Sequence, residues 1–208
     1  MYQLYTATKS RGIRVVWTLE EIGAEYDLKI HTPRDAAVKE LNPGRKIPIL
    51  KDDDFVITES AAICTYLADQ HPQTRLAPTP GTRDRARFDE WNYFVMTDIE
   101  PPLWNYAKNA YLYPEKLRVA EILPACRREF SRSIDTFGQK LGEREFLMGD
   151  EFTIADILCG HTLSWARGAK FEINADNVNG YADRVLARDA LSRARVRDTQ
   201  DSDMVASQ

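Results

Sequence analysis

The chain has 208 residues, of which 43% are hydrophobic and 29% charged, and it carries a formal net charge of −4. That length holds one large domain or two small ones, and the balance is that of a soluble globular protein. The mild acidity argues against a general nucleic-acid or membrane-surface binder, which shows a basic excess.

In chain order, "MYQLYTATKSRG" opens with a short extended stretch and has no apolar leader region. "IRVVWTLEEIG" follows with Ile13, Val16 and Trp17 one helical turn apart and Gly23 as its stop. "EYDLKIH" alternates, with Tyr26, Leu28 and Ile30 on one face, and reads as a strand. "DAAVKEL" is a short helix ended by "NPG". "KIPIL" and "DFVIT" are strands around the acidic turn "KDDD", and "ESAAICTYLADQH" is a helix. The order β-α-β-α-β-β-α predicts a compact α/β unit with a mixed sheet.

Residues 72–84, rich in proline, read as a joint. The expected division is 1–75 as the α/β domain, 76–84 as linker and 85–208 as an all-helical domain. Four helical stretches follow the joint: "RARFDEWNYFVMTDIE"; the long "EKLRVAEILPACRREFSRSIDTFGQKLGE", with a kink expected at Pro124; "TIADILCGHTLSWARGA"; and "YADRVLARDALSRAR". The polar tail "DTQDSDMVASQ" is expected to fray. Thr153 and Asp156 form the S/T-x-x-D pattern of a capping box, with Phe152 and Ile157 as a hydrophobic staple. No run reaches the ~18 apolar residues that span a bilayer. Cys64, Cys126 and Cys159 form no CxxC pair, which argues against zinc and disulfides and for a reducing cytoplasmic compartment. No metal is expected, and none of His31, His71 and His161 is assigned a role.

Three segments of the α/β half carry candidate chemistry. Ser10 and Arg11 precede a helix, where free amides and the helix dipole favour an anion such as a thiolate. Pro48 opens a strand; a cis Ile47–Pro48 bond would turn the Ile47 backbone toward an extended ligand. Glu59 and Ser60 open another helix, suited to an ammonium group and a carboxylate. Taken singly, the two helix starts read first as caps, and Pro48 reads equally as an ordinary edge-strand proline. Together they describe a site for a small peptide with an amino-acid end, a backbone-like middle and a reactive atom near Ser10.

With these segments in order, the sequence resembles the cytosolic glutathione transferases from Tyr2 to about Arg195. The resemblance is carried by "LYTATKSRGIRVVWTLEEIGAEYDL", "LNPGRKIPIL", "ITESAAICTYLAD", "WNYFVMTDIEPPLW", "FLMGDEFTIADILCGHTLSWA" and "YADRVLARDALSRA". The bacterial beta-like members look most similar, with Ser10 where they place a cysteine. The resemblance implies a thioredoxin-like domain, an all-helical domain, a homodimer and conjugation of glutathione to small hydrophobic electrophiles, as in detoxification. It implies that Ile47 and Pro48 pair with the cysteinyl backbone, Glu59 and Ser60 hold the γ-glutamyl end, and Lys46 approaches a carboxylate. Ser10, assisted by Arg11, would activate the thiol; Tyr5 and Thr8 are alternative hydroxyls. Trp104, Tyr106 and Tyr111 would line the electrophile pocket, whereas Trp165 reads as packing. Tyr93 and Glu100, spaced i,i+7, would share a helix face, although an acid there does not favour a thiolate. "NPGRKIP" departs from the commoner "NP-x-GK-V-P", and "ARDAL" from "ARPAF". Glutathione-dependent peroxidase or disulfide-reductase activity is the second reading. A non-catalytic binding or assembly module is the third, disfavoured by the retained "TES".

Overall fold

The computed structural model describes the backbone of residues 1–206 and the side chains of residues 1–199. The chain divides into two compact units, one formed by Met1–Ala77 with the chain from Ala187 onward, the other by Pro78–Leu186.

The first unit is built on a four-stranded mixed sheet. Strands β1 (Tyr2–Thr6), β2 (Tyr26–Ile30), β3 (Ile49–Asp52) and β4 (Phe55–Thr58) lie in the order β2-β1-β3-β4. The β1–β2 pair is parallel; β1–β3 and β3–β4 are antiparallel. Helix α1 (Gly12–Ile22) makes the crossover between the parallel strands and stops at Gly23, whose φ of 67° is the left-handed cap expected there. A short α2 (Ala36–Leu41) and then α3 (Ser60–Gln70) complete the α/β core. Leu4, Val15, Val16, Leu19, Leu50, Ile63 and Leu67 are fully buried, each a gain of about 1.5–3 kcal/mol over exposure.

The second unit is helical. Helix α4 (Arg83–Phe94), capped by Thr82 Oγ1 accepting from the Arg85 amide at 3.1 Å, passes through a π turn at Val95–Ile99 into α5 (Glu100–Ala107) and a second π turn at Lys108–Leu112. The first π turn lies just before Pro101 and Pro102, which have no N–H to give the preceding turn. The Asp98 carbonyl, the α-helical acceptor for residue 102, instead accepts from Ser133 Oγ at 3.0 Å. Then come α6 (Leu123–Leu141), α7 (Ile154–Gly168) and α8 (Asp176–Leu186). Edge-to-face ring pairs Trp91–Phe137 and Phe137–Tyr181, each at 5.7 Å, run through its core.

The capping box is present at the start of α7. Asp156 Oδ2 accepts from the Thr153 amide (2.8 Å) and hydroxyl (3.2 Å); Oδ1 accepts from the Leu147 amide (2.9 Å) and the Tyr181 hydroxyl (2.8 Å). Phe152 packs edge-to-face on Phe146 at 5.6 Å.

Four expectations are corrected. The stretch from Glu115 is not one kinked helix: two 3₁₀ turns (Glu115–Leu117 and Ala120–Ile122) precede α6, and Pro124 lies in its first turn, where a missing N–H costs no hydrogen bond. "YADRVLARDALSRAR" is two helices, α8 and α9 (Asp189–Ala206), separated at Ala187–Arg188. Helix α9 groups with the sheet unit, not with the helical half as the division at 85–208 supposed. It packs along α1 and β2. Arg188 forks onto Glu21 (2.6 and 2.8 Å), Arg193 reaches Glu20 (3.0 Å), and the Arg197 guanidinium stands 5.1 Å from the Tyr26 ring centre. The tail expected to fray is helical to Ala206; Ser207 and Gln208 lie outside the described residues.

Candidate functional site

Register brings the three sequence-selected segments of the sheet unit to one place. Tyr5 pairs with Ile49, and Ile49 pairs with Thr58, so these residues form one row across β1, β3 and β4. The row lies at the C-terminal end of β1, the N-terminal end of β3 and the C-terminal end of β4. The Ser10 loop, Ile47–Pro48 and Glu59–Ser60 therefore leave the sheet at the same end.

The first segment turns tightly from β1 into α1. Lys9 lies at φ 56°, and Arg11 occupies the helix N-cap position without a side-chain bond to the helix. Ser10 caps instead from one residue earlier: its Oγ accepts from the Gly12 amide at 3.0 Å. The same oxygen is 3.2 Å from Oγ1 of the fully buried Thr6. The Gly12 amide thus occupies one lone pair of Ser10 Oγ, while the Thr6–Ser10 contact can be donated from either hydroxyl, Thr6 Oγ1 also lying 3.4 Å from the Ala7 carbonyl. Gly12 is what lets these groups meet: a Cβ there would stand 1.6 Å from Thr6 Oγ1 and 2.7 Å from Thr6 Cβ. The Lys9 amide donates to Asp198 of α9 at 3.3 Å, so the loop is held from the far end of the chain. Asp198 is 8% exposed, and burial pushes its carboxyl above the ordinary range.

The second segment is the loop before β3. The Ile47–Pro48 bond is cis, and pairing of β3 begins at Ile49, two residues past Ile47. Asn42 pins the loop by donating to the Lys46 carbonyl (2.9 Å) and accepting from the Gly44 amide (2.9 Å). Lys46 is exposed and Ile47 half-buried.

The third segment opens α3. Glu59 is exposed and held at φ 69°, ψ 113°, a sparsely populated region for a residue with a side chain. Ser60 is 4% exposed. Its Oγ accepts from Nη1 of Arg14 on α1 at 3.3 Å.

Tyr5 is engaged elsewhere: its ring stacks on His31 at 5.4 Å and its hydroxyl donates to Gln3 at 3.4 Å. His31 Nδ1 is 3.0 Å from Asp35, whose carboxyl is lowered to about 2, chiefly by hydrogen bonds from Thr32. Thr8 is half-buried in the Ser10 loop. Burial pushes the Cys64 thiol up to about 11, in keeping with the inert role expected for it. In the helical unit, Trp104 and Tyr111 are exposed, with Trp104 edge-to-face on Trp165 at 6.4 Å. Tyr106 is held between Phe171 (5.0 Å) and Arg127, which donates to its hydroxyl at 3.1 Å. Tyr93 and Glu100 do not share a face. Tyr93 is 69% exposed and Glu100 is 4% exposed, because the π turn between them resets the helical phase. Thr6, Gly12 and Arg14 were not singled out in the sequence. A Gly directly after Ser-Arg in a helix start is the one signal that marks a close approach there.

Among the described residues, no group of three or more His, Cys, Asp or Glu is arranged to hold a metal, and no helix is long and apolar enough to cross a membrane.

The models of the glutathione S-transferase N-terminal and C-terminal domains match residues 11–70 and 120–187. The glutathione S-transferase GST-4.5 of Xanthomonas campestris pv. campestris is 33% identical over 153 residues, 71% of this chain and 72% of that protein. A glutathione transferase structure from Methylococcus capsulatus matches with a TM-score of 0.84 at 26% identity, covering 95% of this chain and 98% of the other. A family member from Pseudomonas fluorescens with two glutathione bound matches with a TM-score of 0.82 at 26% identity, covering 93% and 92%.

Proposed function

Because the chain belongs to the glutathione S-transferase family, we propose that it is a glutathione transferase whose sheet unit binds glutathione at the common end of β1, β3 and β4. The observation that carries this reading is the row Tyr5–Ile49–Thr58, which gathers the Ser10 loop, the cis-Pro48 loop and the Glu59–Ser60 helix start. The Ile47 backbone pairs with the cysteinyl residue, Glu59 and Ser60 take the ammonium and carboxylate of the γ-glutamyl end, and Lys46 lies toward a second carboxylate. Trp104 and Tyr111 contribute apolar surface for the electrophile. Tyr106 serves packing with Arg127 and Phe171.

Ser10 replaces the cysteine of the beta-like members and acts by hydrogen bonding. A free thiol titrates near ~8.5, and each unit of depression requires about 1.4 kcal/mol in favour of the thiolate. With the Gly12 amide donating to Ser10 Oγ, the Ser10 O–H takes the bound sulfur as its acceptor. The positive end of α1 adds to the same effect, and Arg11 carries charge nearby. Together these supply about 1.5–3 kcal/mol, or one to two units. The thiolate then attacks an electrophilic carbon, held near it by binding. The protein works as a cytoplasmic homodimer in this reading, as the family resemblance implies.

The test is a conjugation assay with an aryl halide, paired with ultraviolet titration of the enzyme-bound thiolate. Ser10→Ala is expected to raise the thiol pKa of bound glutathione and to cut turnover, with glutathione binding largely kept. An unchanged pKa and turnover would reassign the role to Thr8 or Tyr5. One observation favours a second activity: the Pseudomonas fluorescens relative holds two glutathiones. A glutathione mixed disulfide or a hydroperoxide, assayed beside the aryl halide, separates reduction from conjugation.

A further inference from the structure

Arg14 is the most deeply buried cation in the sheet unit. It lies in the first turn of α1 with no exposed surface. Burying a guanidinium carries a desolvation cost that an apolar side chain of similar volume avoids. Its backbone carbonyl is tied down by the Thr18 hydroxyl at 2.8 Å, so the side chain leaves a fixed point on the helix. Among its polar contacts, Nη1 donates to Ser60 Oγ at 3.3 Å, 46 residues away at the start of α3.

The direction of that bond has a chemical consequence. A guanidinium has five donors and no acceptor, whereas a serine hydroxyl has one proton and two lone pairs. Ser60 Oγ must therefore accept from Arg14, and its own proton cannot be spent on Arg14. At the first residue of α3, an Oγ without that constraint could turn its proton toward any nearby acceptor. Facing Arg14, the hydroxyl remains a donor for whatever anion lies at the end of the sheet. The contact is also charge-assisted, which polarises the O–H and strengthens the bond it gives onward. At Ser10 a donor-only group, the Gly12 amide, plays the corresponding part.

We infer that Arg14 is a positioning residue for glutathione recognition: acting through Ser60, it orients the Ser60 hydroxyl as a donor to the α-carboxylate of the γ-glutamyl end. The inference rests on the reading that this end of the sheet binds glutathione, and it adds a residue that touches no part of the ligand. Glutathione analogues without the γ-glutamyl α-carboxylate should lose what Arg14 provides, and should be indifferent to its replacement.

The experiment is calorimetric titration of the full chain with two probes, glutathione and γ-aminobutyryl-cysteinyl-glycine, which lacks only that carboxylate. Wild type should bind glutathione about tenfold or more tightly than the analogue, as expected for a hydrogen bond to a charged group. Arg14→Met should lose about tenfold for glutathione and almost nothing for the analogue. In a Ser60→Ala background the same substitution should change neither. Should Arg14→Met fail to fold, Arg14→Lys and Arg14→Gln carry the test. Lysine keeps a donor-only group and should retain part of the preference. Glutamine can reverse the bond and accept the Ser60 proton, so it should lose the preference. Equal losses for both probes, or an undiminished loss in the Ser60→Ala background, would assign Arg14 to scaffold packing and overturn the inference while leaving glutathione binding intact. If wild type binds glutathione but does not discriminate between the probes, the inference also falls. If wild type binds neither, the proposed function itself fails and takes the inference with it.

Discussion

Gly12→Ala places two effects of opposite sign on one methyl group. In an ordinary helix the change stabilises, since alanine is favoured over glycine by up to about 1 kcal/mol. Gly12 is the first residue of α1, and its missing Cβ is where the end of β1 comes in. The added methyl would stand 1.6 Å from Thr6 Oγ1 and 2.7 Å from Thr6 Cβ, where ordinary contact begins at 3.4 Å. Rotating Thr6 about χ1 moves the hydroxyl but not its Cβ, so about 0.7 Å must still come from separating strand and helix. Forcing an extra methylene into a packed interior costs about 1–3 kcal/mol. Because Thr6 is fully buried, the upper half of that range applies. The net result is a destabilisation of about 1–2 kcal/mol, which lowers the thermal midpoint of a chain this size by about 2–8 °C. Thermal unfolding followed by circular dichroism reads it directly. The double variant Gly12→Ala/Thr6→Gly removes both offending atoms and should recover part of the loss beyond what Thr6→Gly alone costs. A Gly12→Ala protein as stable as wild type, or more so, would refute the close approach and with it the account of how Ser10 is set.

Asp156→Asn keeps the shape of the capping box but replaces one acceptor with a donor facing two donors. We expect a loss of about 2–3 kcal/mol in urea denaturation, since Asp156 accepts four hydrogen bonds inside the fold, from Leu147, Thr153 and Tyr181; a loss below about 0.5 kcal/mol would contradict this. Asp198→Asn tests pH dependence. Asp198 has one carboxylate oxygen, Oδ1, without a hydrogen-bond partner among the described residues, and burial raises its pKa in the folded chain. Between the ordinary and the raised value the native state holds the extra proton, so stability falls as pH rises through that window and stays lower above it. Relative to Asp198→Asn, wild type should therefore lose thermal midpoint as pH rises above the ordinary carboxylate range near ~4. A difference between the two proteins that does not change with pH would count against a raised pKa.

The sheet unit was readable because its punctuation is local. Gly23 ends a helix, Pro48 opens a strand, and Ser10, Glu59 and Ser60 sit at helix starts, all visible within a few residues. The expectation of a cis bond before Pro48 and of a mixed sheet agrees with the structure. Thr6, Gly12 and Arg14 act through a strand end and two helices that meet only on folding, so their local sequence reads as ordinary core. The helical half was less readable for a related reason. Helical periodicity runs on through a π turn, through a proline in a first turn and through the break at Ala187–Arg188, where no glycine or proline marks the stop. The apolar stripe of α9, with Ala190, Leu191 and Ala194 buried, looks the same whether it packs on helices or on a sheet. Only Arg188, Arg193 and Arg197, meeting Glu21, Glu20 and Tyr26, decide the matter, and those partners lie more than 160 residues earlier.

That arrangement bears on the order in which the molecule can be made. The helical unit is one uninterrupted stretch, so a growing chain can complete it while still attached to the ribosome. The sheet unit begins before the helical unit but is completed only after it, because α9 follows Leu186 in the chain. Until then Glu20 and Glu21 lack their arginines and the Lys9 amide lacks Asp198, so the loop carrying Ser10 waits on α9. Closing contacts across nearly the whole chain is entropically slow. A chain stopped short near Leu186 would thus carry a whole helical unit and a sheet unit still without its brace.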